Sequence, residues 1–421
     1  MGKSLEPLRT ACCIAGGGPA GMMLGLLLAR AGVDVVVLEK HADFLRDFRG
    51  DTVHPSTMEV MHELGILEEF LKRPHRKVRQ MFLQMGSSAA PVADFSRVPA
   101  RCKFIAFMPQ WDFLDFLTDQ AKQYKGFHLH MRAEVKGLIE REGKVAGVYA
   151  QTSEGLREIH AQLVVGADGR DSDVRQAAGL SVENLGAPMD VLWFRISRLG
   201  SDRSEVFAHV EAGRMLVMLD RGDYWQCAYI IPKDGFEAVK REGLKNLQGD
   251  VAKLAPFIED RIGEIGSWDD LKLLTVAVDR LRTWHKPGLL CIGDAAHAMS
   301  PIGGLGINLA IQDAVAAANI LVEPLKKGEV DTEHLKAVQA RREFPTRLTQ
   351  RIQLAAQNRL ISRVLKGGEQ LELPWAFRML QRFPILRNIP AWLAGVGVRP
   401  EHVHTPESVA RAGSSTIREP V

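Results

Sequence analysis

The chain has 421 residues, of which 46% are hydrophobic and 25% charged, with a formal net charge of +3. Such a composition supports a sizeable buried core and excludes a disordered or fibrous chain; so small a charge excludes an electrostatic footprint for nucleic acid. Cys12, Cys13, Cys102, Cys227 and Cys291 show neither metal-ligand spacing nor a disulfide framework; Cys12, Cys13 and Cys291 sit in apolar strands and read as small core residues of a cytoplasmic protein, and no metal is expected.

In chain order, the apolar strand 12–15 runs into Gly16, Gly18 and Gly21 at G-x-G-x-x-G spacing, with Pro19 and Ala20 between them, then the helical run 22–30 and the strand 33–38. Gly16 can take a backbone angle closed to other residues, Gly18 lets the chain approach a pyrophosphate, and Gly21 allows helix and strand to pack closely. Glu39, with Lys40 beside it, stands at the ~20-residue offset where an acid accepts from ribose hydroxyls. This half alone leaves NAD and FAD open.

The segment 49–59 contains Arg49 and Asp51, and 108–114 reads as a helix start containing Gln110. A second strand, 163–167, ends in Asp168-Gly169 and continues into Arg170 to Arg175; taken singly it is a turn signal. Residues 79–84, 189–196, 205–210, 214–219 and 224–232 read as strands of an inserted antiparallel sheet. On it Met215, Val217, Trp225 and Tyr229 are the candidates to meet an aromatic ring, although strand alternation sends about half of such positions to the opposite face.

Roughly 270 residues after the first glycine turn, the apolar strand 289–292 leads into Gly293-Asp294, and Pro301, Gly303, Gly304, Leu305, Gly306, Ile307 and Asn308 precede the apolar helix 309–321. A carboxylate at a strand's end can hold polyol hydroxyls, and a glycine-rich helix start can present amides to a flavin's pyrimidine edge. This second end selects FAD. Charged helices follow over 332–360. The tail 374–398 interleaves aromatics with arginines, a pattern more often packed over a pocket or at a subunit contact than on a membrane, and 410–421 reads as disordered. No cleavable signal and no apolar span of ~20 residues is expected.

Together GGGPAG with Glu39, GADGRDSDVR and GDAAHAMSPIGGLGINLAIQDA resemble the class A flavin-dependent monooxygenases, typified by p-hydroxybenzoate hydroxylase, across residues 16–314. The resemblance implies an α/β fold with a Rossmann-like FAD-binding domain (1–75, 101–185 and 275–330), an inserted, mainly antiparallel substrate sheet (76–100 and 186–274) and a C-terminal helical region (331–421). It implies that Asp294 holds the ribityl chain, residues 303–308 line the isoalloxazine, and Asp168 and Arg175 lie near the pyrophosphate and the nicotinamide route. It further places Arg49 on the cofactor, Gln110 beside the flavin, and Asp51 as a catalytic candidate facing the substrate. A surface arginine and a plain helix-start acid are the competing readings of Arg49 and Asp51.

The expected reaction is hydroxylation of an electron-rich aromatic or heteroaromatic small molecule through a flavin C4a-hydroperoxide, with NADH or NADPH and O₂, by a monomer or homodimer. The rival is an FAD-dependent reductase or dehydrogenase of the same fold without oxygen insertion. Leu305, where the family often has glutamine, is the visible departure. A related halogenase is disfavoured, because residues 227–232 lack its two tryptophans.

Overall fold

The computed structural model describes residues 5–45, 52–86, 88–202, 207–365 and 375–408. Arg49, Asp51 and the tail 410–421 lie outside the described residues.

Leu8–Ala15 forms the centre of an eight-stranded sheet, parallel to Val35–Glu39 on one side and to Gly155–Gly166 on the other. Phe127–Met131 extends one edge in parallel, and Leu289–Cys291 joins Gly155–Gly166 in parallel at the other. Cys12, Cys13, residues 35–38, residues 163–165 and residues 289–291 are buried on both faces, as the middle of a covered parallel sheet requires. Register aligns the carboxyl ends: Ala15 pairs with Gly166 and Leu38, and Gly166 with Cys291. The turns after these four strands therefore emerge along one edge, where open α/β sheets bind ligands.

The helices Pro19–Arg30 and Gly306–Lys327 pack together over this sheet. A Cβ on Gly293 would meet Ala20 Cβ at 3.1 Å and Ala310 Cβ at 3.3 Å, so the two sequence ends close on each other at a glycine. The stretch Ile302–Lys327 is long and apolar enough to cross a membrane, against the sequence expectation; 78% of its apolar window is buried as the fold's core.

A seven-stranded sheet runs in the order Lys272–Leu274, Met189–Ser197, Tyr224–Pro232, Arg214–Asp220, Phe207–Glu211, Gln80–Met85, Ser88–Asp94. All its pairs are antiparallel except Phe207–Glu211 with Gln80–Met85. Two helices absent from the sequence reading, Phe236–Glu242 and Leu244–Leu254, together with the turn Pro256–Glu264, cover one face and build a separate apolar core with it. The other face is turned toward the parallel sheet's ligand edge. Thr332–Ala356 and shorter helices complete the C-terminal part.

Candidate active site

A cleft of about 430 Å³ runs between the two sheets and divides by chemistry. Its polar half is lined by residues 15–20, Glu39, Lys40, His41, Glu134, residues 167–170, Asp173 and Asp294. The apolar half is lined by Met81, Ile105, Phe107, Trp193, Val217, Leu219, Leu274 and Val276. Residues 299–301 and 303–307 lie between, with Thr52 and Gln110 also at the wall.

The polar half is shaped by backbone. Gly16 has φ +106°, and a Cβ there would fall 2.3 Å from the Ala167 carbonyl oxygen, so a side chain would collide with the neighbouring strand's turn. Gly18 faces open space, with nothing within 4 Å of where a Cβ would stand, while Gly21 abuts the Gly16 carbonyl and does not line the cleft. The helix Pro19–Arg30 begins here with Pro in its first turn and no acidic side chain, leaving its amide end positive. Glu39 accepts from the Gly17 amide at 3.1 Å and the His41 amide at 3.0 Å, which fixes its carboxylate beside the turn.

Asp168 accepts from Ser172 Oγ and, at 3.0 Å, from the Val174 amide, thereby folding the turn that follows its strand. Burial raises its carboxyl above the ordinary value, against those hydrogen bonds. Arg175 is placed elsewhere than the cleft wall: its guanidinium pairs with Asp279 at 3.3 Å and donates to the Arg170 carbonyl.

The glycine loop is braced from three directions. Gly304 has φ +64°, and a Cβ would come within 2.4 Å of Thr52 Oγ1, which donates to the Gly304 carbonyl at 3.0 Å. Asn308 does not line the cleft. Its buried Oδ1 accepts from the His54 amide at 3.1 Å and Thr57 Oγ1 at 2.7 Å, tying the loop to residues 52–57. From behind, Gln353 Nε2 donates to the Ser300 and Ile302 carbonyls at 3.1 and 2.8 Å. Asp294 sits at the loop's mouth, its Oδ1 3.9 Å from where a Gly306 Cβ would be.

Behind Asp294 is a buried charge cluster the sequence reading missed. Asp313 Oδ2 lies 2.6 Å from His297 Nε2 and accepts from the Gly293 amide at 3.0 Å, while Arg342 Nε donates to Oδ1 at 3.0 Å. Arg342 also reaches Glu401 at 3.2 Å. Burial alone would raise the Asp313 carboxyl, but His297 and Arg342 hold it below the ordinary range. The available signal was a lone acid within the apolar run 309–321.

Of the four proposed ring contacts, only Val217 lines the cleft. Met215 shares its face but is buried in the core beside the cleft. Trp225 and Tyr229 point the other way, into the core beneath the covering helices, where Trp225 Nε1 donates to Asp202 at 2.8 Å and Tyr229 lies 3.3 Å from Asp250. The pairing explains this: Val217, Ala228 and Trp193 are opposite one another across three strands, so the even positions of Tyr224–Pro232 share the face of Trp193. Trp193, Leu219, Leu274 and Val276 are the residues the sequence reading overlooked.

Comparison with known proteins agrees with this geometry. Residues 9–352 match the family described as FAD binding domain. The chain is 32% identical over 382 residues to 6-methylpretetramide 4-monooxygenase of Streptomyces rimosus, covering 90% of this chain and 91% of that protein. It is 27% identical over 313 residues to the uncharacterized aromatic compound monooxygenase YhjG of Bacillus subtilis, covering 72% of this chain but only 59% of the relative. Among solved structures, the OxyS anhydrotetracycline hydroxylase of Streptomyces rimosus superposes with a TM-score of 0.72 at 23% identity, covering 93% of this chain and 77% of that one, a likeness of fold.

Proposed function

The chain belongs to the class A FAD-dependent aromatic monooxygenases, and we propose that it hydroxylates an electron-rich, multi-ring aromatic molecule with O₂ and with NADH or NADPH as electron donor. The observation that carries this reading is the two-part cleft, a glycine-shaped polar channel opening into an apolar chamber at the loop 299–307.

The residues fit FAD. The open face of Gly18 and the amide end of Pro19–Arg30 suit its diphosphate, and Glu39 with Lys40 suits the adenosine ribose. Asp294 would hold the ribityl hydroxyls. Pro301, Gly304, Gly306 and Ile307 would present the loop's backbone to the ring system, with Gln110 at the wall. Gly16, Ala20 and Asp168 shape the channel, and Gly21 and Asn308 act from behind it by packing and hydrogen bonding. When bound and reduced, FAD activates O₂ for transfer of one oxygen atom to an aromatic carbon.

The chain's own contribution follows from the apolar half. Trp193, Val217, Leu219, Leu274 and Val276 offer an apolar wall suited to orient a ring and exclude water. The multi-ring preference draws on the substrate named for the 32% identical relative.

Purified protein tests the reading. Flavin absorbance should co-purify with the chain, and polycyclic phenols should stimulate NAD(P)H oxidation and yield products heavier by one oxygen atom. Stimulated NAD(P)H loss without any oxygenated product across such a panel would move the assignment to a reductase.

A further inference from the structure

The interleaved aromatics and arginines of the C-terminal stretch are not used by the site. Trp375–Arg382, the turn Pro384–Arg387 and Asn388–Gly395 pack inward on Ser88–Asp94 and Phe95–Arg97, with Ala391 and Gly395 buried there. Rather than covering the cleft, the outward side leaves Trp375 73%, Ile385 65%, Ile389 57% and Phe383 47% exposed. A soluble surface rarely gathers so many large apolar side chains in so short a stretch without a partner.

Charge narrows the partner. Arg378 and Arg382 are exposed on the same segment, and from 375 to 400 the sequence contains no aspartate or glutamate. Arg387 is turned inward, donating to the Leu380 carbonyl at 2.9 Å. A second copy meeting this face through a twofold axis would bring the arginines of both copies together, with no acid among residues 375–400 to offset them. An anionic lipid surface meets both demands: it accepts the aromatic and aliphatic side chains at its boundary and attracts the arginines.

The face also adjoins the chamber. Ala394 accepts at 2.7 Å from His54 Nδ1, two residues beyond the cleft-lining Thr52, and Ser88–Asp94 pairs with the strand that places Met81 in the cleft. We propose that residues 375–395 dock the protein on an anionic membrane surface. Docking does not depend on the proposed oxygenation.

Co-sedimentation of the FAD-containing full chain tests it, with vesicles of phosphatidylcholine mixed with phosphatidylglycerol against phosphatidylcholine alone. At low salt the anionic vesicles should bind on the order of 30-fold more strongly, from two arginines at the surface, and the excess should shrink at high salt. The double variant R378E/R382E should lose that excess, and I385E/I389E should lose binding to both vesicles, each keeping its flavin spectrum and melting temperature. Failure of the wild-type chain to sediment with anionic vesicles overturns the proposal. So does binding that neither variant alters, or a solution dimer that I385E/I389E splits, which would make the face a contact between copies.

Discussion

Asp313 accepts from His297 Nε2 at 2.6 Å and from the Gly293 amide at 3.0 Å through the same carboxylate oxygen, so one buried acid holds both sides of the turn that carries Asp294. Because Arg342 and His297 are as buried as Asp313, removing the acid takes the buried partner from His297 Nε2 and the Gly293 amide and leaves the Arg342 guanidinium with Glu401 as its remaining carboxylate. Asp313→Ala should cost about 3–5 kcal/mol in urea unfolding. Asp313→Asn retains a partner for the Gly293 amide and should cost less, while weakening FAD on the order of tenfold, or about 1.4 kcal/mol. Equilibrium titration of apoprotein by flavin fluorescence reads this second effect. Unchanged FAD affinity in a folded Asp313→Asn protein would reduce Asp313 to a purely structural role.

Gly304→Ala meets two obstacles, the left-handed backbone at φ +64° and Thr52 Oγ1 at 2.4 Å. The backbone alone costs a non-glycine residue roughly 1–2 kcal/mol. FAD affinity should fall at least about tenfold, and Thr52→Ala in the same chain should return part of the loss by removing the nearest atom. A double variant no better than Gly304→Ala would show that the backbone angle, and not the Thr52 contact, sets the cost.

Trp193 and Trp225 separate the sheet's two faces. Trp225→Ala, in the core beneath the helices, should lower stability by about 3–5 kcal/mol and leave the KM of surviving enzyme nearly unchanged. Trp193→Ala should do the reverse, with a small change in melting temperature and a KM for the aromatic substrate raised on the order of tenfold. Steady-state kinetics beside thermal melts discriminate the two; a substrate effect confined to Trp225 would reverse the assignment of faces.

His54 is fully buried, and burial lowers its pKa to about 4, only partly countered by the hydrogen bond to Ala394. The unfolded chain takes up a proton near pH 6.5 and the folded chain does not until near pH 4, so stability falls as pH drops through that window. The loss totals roughly 3 kcal/mol and stops growing below the folded value. His54→Gln should flatten this part of the stability profile; an equal slope in the variant would place the proton uptake at another group.

What was legible in the sequence was whatever is local. Gly16, Glu39 and Asp168 stand at or just beyond the ends of strands, where local spacing marks a turn, and the loop around Gly304 is marked by its run of glycines before an apolar helix; all of them line the cleft. The substrate wall was illegible for a different reason. Trp225 and Tyr229 are four apart and do share a face, but which face depends on register with Arg214–Asp220 and on the helices 236–254 covering the far side. Large side chains mark a core as readily as a pocket, and Trp193 was separated from Trp225 only by parity. Asp313 and Arg342 escaped because their meaning is a contact across 29 residues between two helices.

The strand order has a further consequence for synthesis. Leu289–Cys291 joins the parallel sheet after every other strand of its parallel core, and only then do Gly293 and Asp294 reach the turn laid down by the first twenty residues. A nascent chain emerges at about 5–20 residues per second, so the amino-terminal glycine turn waits for its counterpart through most of translation. FAD capture is therefore a late event that reports a finished sheet, and chains truncated before residue 310 should emerge without flavin and with an apolar chamber open to aggregation.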